Sequence, residues 1–267
     1  MGTAGVSLAY PCYAEPRWLE ATQTHVRLPR NASTGPVRLL QLSDLHASRW
    51  VSIGMIAHAV RLAVAQMPDI ICLTGDYVTV GDDFDSTGYA PTLRALHACA
   101  PTFAVLGNHD GGRWAGPRGG YKDHRVVEKI LEDSEIELLH NRSVHIPVRG
   151  RSVTLIGVGD FWSDEIDAAR AFADVHPGGT NILLSHNPDS KQMLDGWRWE
   201  LMLSGHTHGG QVVLPFLGPR FAPVEDKRYV AGLKPWKDRQ IHVTRGVGNL
   251  HGVRFRCRPE VSLLVLE

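Results

Sequence analysis

Five short apolar runs in this chain lead into residues of metal-binding type, and that recurrence limits the fold more than any other feature. The run 37–42 leads to Asp44 and His46, and 70–73 leads to Gly75-Asp76. Residues 102–106 meet Gly107-Asn108-His109-Asp110, 181–184 meet Ser185-His186, and 201–203 meet Gly205-His206-Thr207-His208-Gly209-Gly210-Gln211. Such runs are predicted to be buried strands. Between them, Ile53, Ile56, Ala57, Val60 and Val64 predict a helix over 53–66, stopped before Pro68. Further helices are expected over 91–98, 126–131 and 166–173. Strands alternating with helices imply an α/β fold with helices covering the sheet. In open sheets of that kind ligands bind beyond the carboxyl ends of the strands, where every one of these motifs falls.

The last motif sets a local requirement. Alternate residues of an extended chain point to opposite sides. His206 and His208 can therefore serve one site only where the backbone turns, and the glycines beside them permit a turn. Alone, the stretch could be a solvated polar loop; with four other strand ends it reads as a cluster. Carboxylate, amide and imidazole ligands without thiolates suit manganese, iron or zinc, and paired ions are typical of phosphate-ester hydrolases. Asp76, expected on a central strand, is the candidate to bridge two ions. A hairpin is expected at 144–148 and 152–158, and closing strands at 211–214, 240–244 and 261–266.

Composition excludes other classes. Lys and Arg together number 28, as do Asp and Glu, so no basic field calls for nucleic acid. Cys12, Cys72, Cys99 and Cys257 form no CxxC pair, which argues against a disulfide framework or zinc ribbon and for a reducing, cytoplasmic setting. No stretch reaches the roughly 20 apolar residues that span a bilayer. Residues 1–36, opening on the small and apolar 2–13, are expected to be an arm, and 37–267 one domain. Most histidines outside the motifs, His176 and His242 among them, have surface or structural roles as their default. His251, just after Gly248-Asn249, is a candidate for substrate contact. Arg113, Arg118 and Lys122 in the glycine-rich loop 111–123 are solvated by default, and otherwise candidates to hold a second phosphate. Phe216 and Phe221, in 214–224, are either core or candidates for an acyl chain or a bilayer.

Asp44-Leu45-His46, Gly75-Asp76, Gly107-Asn108-His109-Asp110, Ser185-His186 and Gly205-His206-Thr207-His208 together resemble the five-block signature of the calcineurin-like metallophosphoesterases, in the family's order. The resemblance implies a four-layer αββα sandwich of two mixed β-sheets flanked by helices. It implies that Asp44, His46 and His208 hold one divalent ion and Asn108, His186 and His206 another, with Asp76 bridging. Manganese is the expected ion, with iron or zinc as alternatives. His109 would face the leaving-group oxygen, oriented by Asp110. Gly209-Gly210-Gln211, residues 228–233 and Arg245-Gly246-Val247-Gly248 are similar to one bacterial branch of membrane-associated phosphodiesterases, some of which cleave UDP-2,3-diacylglucosamine in lipid A synthesis. Members of that branch usually carry an N-terminal apolar anchor, and here only the stretch around Tyr10 to Pro16 stands in its place.

The expected activity is hydrolysis of a phosphodiester or pyrophosphate bond by metal-activated water, in a small or lipid-linked substrate, with peripheral contact to the inner membrane as a further expectation. A generic or cyclic-nucleotide phosphodiesterase, a nuclease and a non-catalytic scaffold are the alternatives. Balanced charge weighs against the nuclease, and a scaffold has no physical need of the whole ligand set. No oligomeric state follows from the sequence.

Overall fold

The computed structural model describes residues 9–28, 35–81, 84–175 and 178–267, so Gly2 to Leu8 of the expected arm and His176 lie outside it. Its strands are β1 (Glu20–Val26), β2 (Val37–Leu42), β3 (Ile70–Thr74), β4 (Thr102–Val105), β5 (Glu137–Leu138), β6 (Arg142–Val148), β7 (Arg151–Gly157), β8 (Thr180–Leu184), β9 (Leu201–Ser204), β10 (Gly232–Trp236), β11 (Arg239–Val243) and β12 (Glu260–Leu266). They form two six-stranded sheets, in the orders β1-β12-β2-β3-β4-β5 and β10-β11-β9-β8-β7-β6. Both are mixed. β2 through β5 run parallel and β12 opposes β2, while β7, β8, β9 and β11 run parallel between antiparallel edges β6 and β10.

The period of two along each strand builds the layers. In the first sheet Leu39, Ile70, Cys72, Phe103 and Val105 face the second sheet, where they meet Val153, Leu155, Ile182, Leu184, Leu201 and Leu203. Leu40, Leu42, Ile71, Leu73 and Ala104 face the other way, onto the helices. The helix Ile53–Ala65 is capped by Ser52, whose hydroxyl accepts the Met55 amide, and it buries Ile56, Ala59, Val60 and Ala63, a spacing of three and four. The helices Tyr89–His97 and Arg125–Asp133 cover the same face. Leu183 and Met202 point outward from the second sheet to Phe172, Trp199 and Tyr229. The two-sheet architecture expected from the sequence is present.

Three expectations change. Residues 20–26 are not part of an arm: they form the edge strand β1, parallel to β12. Residues 211–214 form no strand. The ladder there is limited to isolated bridges, Val212 with Phe255 and Leu214 with Gly218, and Gln211 has a left-handed backbone that breaks any extended run. Strand β10 was not expected, because Pro235 interrupts its pattern and an edge is where a sheet tolerates proline. No helix among the described residues is long and apolar enough to cross a membrane.

A buried polar link joins the sheets. His242 on β11 donates from Nδ1 to Gln41 Oε1 on β2 at 2.7 Å, and Gln41 Nε2 donates to Thr74 Oγ1 and to the Ser204 carbonyl, each at 3.0 Å. Burial pushes the His242 pKa down to about 4. Between about pH 6.5 and about 4 the unfolded chain therefore takes up a proton here that the folded chain refuses, and stability falls as pH falls through that window, by up to about 3 kcal/mol at its lower end. His242→Asn keeps a donor but cannot titrate. Denaturant unfolding at pH 7 and pH 5 should show a smaller acid loss in the variant than in the parent. An unchanged loss would mean that the ring is not held neutral.

Candidate metal centre

The parallel strands bring their carboxyl ends to one edge of the sandwich, and the chain turns sharply at each. Asp44, His46, Asp76, His206 and His208 all have left-handed backbone, with φ of 52°, 48°, 58°, 68° and 50°. Non-glycine residues seldom adopt that region, and each instance costs on the order of 1–3 kcal/mol. The turn inferred at His206 and His208 is thus present in both residues. The loops are laced together by Asp44 N to Gly75 O at 2.9 Å, His46 N to Asp76 O at 3.0 Å and Gly205 N to His186 O at 3.0 Å. Glycines make this approach possible: a Cβ at Gly107 would run into the Asp76 carboxylate, and one at Gly205 into Ser43 and Asp44.

The result is two buried groups, Asp44 with His46 and His208, and Asp76 with His186 and His206, each with its ligand atoms within 4.8 Å of one another. The groups touch. Asp76 Oδ2 lies 3.1 Å from His186 Nε2 and 3.4 Å from His46 Nε2, so one carboxylate oxygen stands beside a nitrogen of each group. His46 Nε2 and His208 Nε2 are 3.1 Å apart, and His206 Nδ1 and His186 Nε2 are 3.2 Å apart. Asp44 accepts the His206 amide at 3.0 Å. Asn108 is buried with neither side-chain atom hydrogen-bonded.

The electrostatics call for cations. Burial opposes charge on His186, yet Asp76, Asp44 and Asp160 outweigh it and push its pKa up to about 10. Burial holds His206 and His208 well below the usual imidazole range, neutral and with a lone pair to give. Carboxylates that demand positive charge, neutral imidazoles and an unpaired amide suit a dinuclear metal centre.

Contacts around this cluster assign other residues. His109 Nδ1 is 2.7 Å from the Thr79 carbonyl, which can only accept, so Nδ1 carries the proton and Nε2 is left for other chemistry. Asp110, expected to orient His109, instead spends its carboxylate on backbone amides. It accepts Asp76 N and Gly107 N at 2.8 Å, Tyr77 N at 2.7 Å and Val78 N at 3.4 Å, and so holds the Asp76 loop. Thr79 also places its hydroxyl 3.1 Å from His46 Nδ1 and 3.3 Å from the His46 carbonyl.

A cleft of about 440 Å³ opens over the cluster, lined by Asp76, Asn108, His109, His206, His208 and His251. Its remaining walls include Arg49, Trp50, Trp114 and Trp162, none of them singled out from the sequence as site residues. Their signal was position, since Arg49-Trp50 closely follow His46, and Trp162 follows Gly159-Asp160. The Trp162 ring meets His206 edge-on at 4.2 Å, and Trp114 meets His109 at 4.7 Å. The expected second-phosphate cations do not line this cleft. Arg113 pairs with Asp164 at 3.1 Å in solvent, and Arg118 lies over the Trp114 ring at 4.6 Å with its side chain exposed. Lys122 lines a different cavity with Tyr121 and Arg125. Phe216 and Phe221 are exposed and also absent from the lining, whereas Pro223 belongs to it.

Two sheets carrying a carboxylate–imidazole cluster for two metals define a metallophosphoesterase. Residues 37–210 match the calcineurin-like phosphoesterase family, to which the chain belongs. Phosphodiesterase YaeI of Escherichia coli strain K12 is 42% identical over 257 residues, which cover 96% of this chain and 92% of that protein. The UDP-2,3-diacylglucosamine pyrophosphatase LpxG of Chlamydia trachomatis is 28% identical over 302 residues, covering 94% of this chain and 90% of the relative. Among solved structures, phosphopantetheinyl hydrolase from Mycobacterium tuberculosis superposes with a TM-score of 0.51 at 13% identity, over 82% of this chain and 92% of the other, a likeness of fold alone.

Thr79 offers a test of the cluster. A histidine that binds metal through Nε2 is oriented by the acceptor at Nδ1, and losing such a partner typically costs 10–100-fold in metal affinity. Thr79→Val should weaken Mn²⁺ binding by about that factor in calorimetric titration of the metal-stripped protein, and Thr79→Ser should restore it. Equal affinity in all three proteins would remove Thr79 from the support of His46.

Proposed function

We propose that this chain is a dinuclear phosphohydrolase that cleaves a phosphodiester or pyrophosphate bond, with manganese as its ion. One observation carries the reading: Asp76 Oδ2 stands between nitrogens of both ligand groups. In this reading Asp44, His46 and His208 hold one ion, Asn108, His186 and His206 the other, and Asp76 both. Such a pair, when bound, acidifies water and offsets charge on the phosphoryl oxygens.

The protein's own groups do the rest. The cleft walls position the phosphate over the ligand cluster and restrict water. As the oxygen of water forms a bond to phosphorus, the bond to the leaving oxygen breaks, and that oxygen needs a proton. His109, fixed through Nδ1–H, delivers it from Nε2 when that nitrogen also carries a proton, and the proton given up by the attacking water replaces it through solvent. Asp110 acts one step back, by fixing the loop that carries Asp76. The substrate class we favour is a nucleotide-linked lipid such as UDP-2,3-diacylglucosamine, supported by the relative named for that pyrophosphate and by the aromatic cleft.

Metal analysis alongside turnover tests these roles. Asp76→Asn should lose bound Mn²⁺ and activity while remaining folded. His109→Ala should keep both ions and lose about 10²–10⁴ in kcat on a diester with a poor leaving group. Two tightly held ions in an active Asp76→Asn protein, or parental turnover by His109→Ala, would overturn the corresponding role. Assay of bis(p-nitrophenyl) phosphate and UDP-2,3-diacylglucosamine separates general diesterase activity from the favoured substrate.

A further inference from the structure

A second cavity adjoins the cleft over the metal cluster. Trp50 and His251 line both, and the second, of about 240 Å³, is enclosed further by Tyr13, Pro16, Met55 and Val253. Arg17 and Asn249 are among its polar members. The wall formed by the turns Tyr10–Ala14 and Glu15–Arg17 is fastened in place. The fully buried Glu15 accepts the Cys257 amide at 2.5 Å, and the Pro11 carbonyl accepts the Arg254 amide at 2.8 Å. These contacts set Tyr13 and Pro16 against the loop that carries His251 and Val253. Tyr13 is 70% exposed and Trp50 48%, aromatic surface that the chain itself leaves open to a ligand. Arg49, with its guanidinium 5.2 Å from the Trp50 ring centre, brings positive charge to the junction of the two spaces.

We propose that the second cavity is a substrate subsite for an apolar alkyl or acyl substituent of the phosphoester, with the phosphate held in the cleft and Arg49 at the passage between them. The proposal rests on the phosphohydrolase reading above. It assigns the apolar part of the substrate to the N-terminal turns and Val253, not to the loop bearing Phe216 and Phe221. A substituent bonded to a phosphate over the metal cluster reaches this cavity by passing Trp50 and His251, the two residues common to both spaces. Each methylene fully buried there should raise kcat/KM by about fourfold.

The test compares methyl and decyl p-nitrophenyl phosphate with Mn²⁺-loaded protein, the decyl ester below its micelle-forming concentration. Products are separated by chromatography so that cleavage of either ester bond is counted. The decyl ester should be preferred at least tenfold in kcat/KM. Val253→Trp, which fills the cavity, should bring the decyl-to-methyl ratio to within about twofold, and Tyr13→Ala should lower it severalfold should the first variant not fold. Equal use of both esters by the parent, or an unchanged ratio in the folded variants, would overturn the subsite and leave the phosphodiesterase reading standing. Failure of the parent to cleave either ester would overturn both.

Discussion

The buried carboxylates Asp44 and Asp76 impose the constraint on which the rest of this structure depends. Both are almost wholly removed from water, and an uncompensated charge in such a place is expensive. Four imidazoles crowd them, and the carboxylates draw the pKa of one, His186, far above its ordinary value. Positive charge is also fixed behind the cluster. Arg254 is fully buried and spends its guanidinium on carbonyls of Arg245, Gly246, Gly248 and Cys257, close enough to Asp44 for its charge to be felt. A divalent cation in each group answers the same demand more completely, because it neutralises the carboxylates while leaving the imidazoles neutral.

That demand explains why the fold tolerates so much backbone strain at one edge. Five candidate ligands in left-handed conformation cost several kcal/mol between them. The strain persists because the strand ends are over-determined: parallel pairing fixes where each loop begins, and inter-loop amide bonds fix where it goes next. Asp110 illustrates the arrangement. Its carboxylate is part of the signature, yet its contacts are to amides of Gly107, Asp76, Tyr77 and Val78, which makes it the brace of the neighbouring loop. Membership of a motif and contact with the reacting atoms are different properties.

What was legible in the sequence follows from the same physics. Buried parallel strands are largely apolar on both faces, so β2, β3, β4, β8 and β9 stand out as runs, and their carboxyl ends locate the candidate ligands. Edge strands carry a weaker pattern. In β1, Glu-Ala-Thr-Gln-Thr-His-Val, partly buried and exposed positions alternate without a continuous apolar run, so the stretch reads as an arm. The cleft walls were less legible still. Whether Arg113 or Trp114 faces the metal cluster depends on how residues 111–123 coil into short turns, and no periodic pattern encodes that. Trp114 turned inward, and the cations turned to Asp164, to the indole face and to another cavity.

The contrast between Thr79 and those loop cations shows which kind of second-layer residue a sequence can hide. Thr79 has no charge and no place in an obvious motif, yet its carbonyl fixes the tautomer of His109 while its hydroxyl faces Nδ1 of His46. Those two rings meet edge to face, 4.9 Å between centres, so one residue bears on the orientation of both. Its position is itself fixed by the bridge between Ala47 and Val78, which zips the loop after β2 to the loop after β3. The geometry around His109 is thereby tied to that around His46 through backbone, and a shift in either loop would be felt at both.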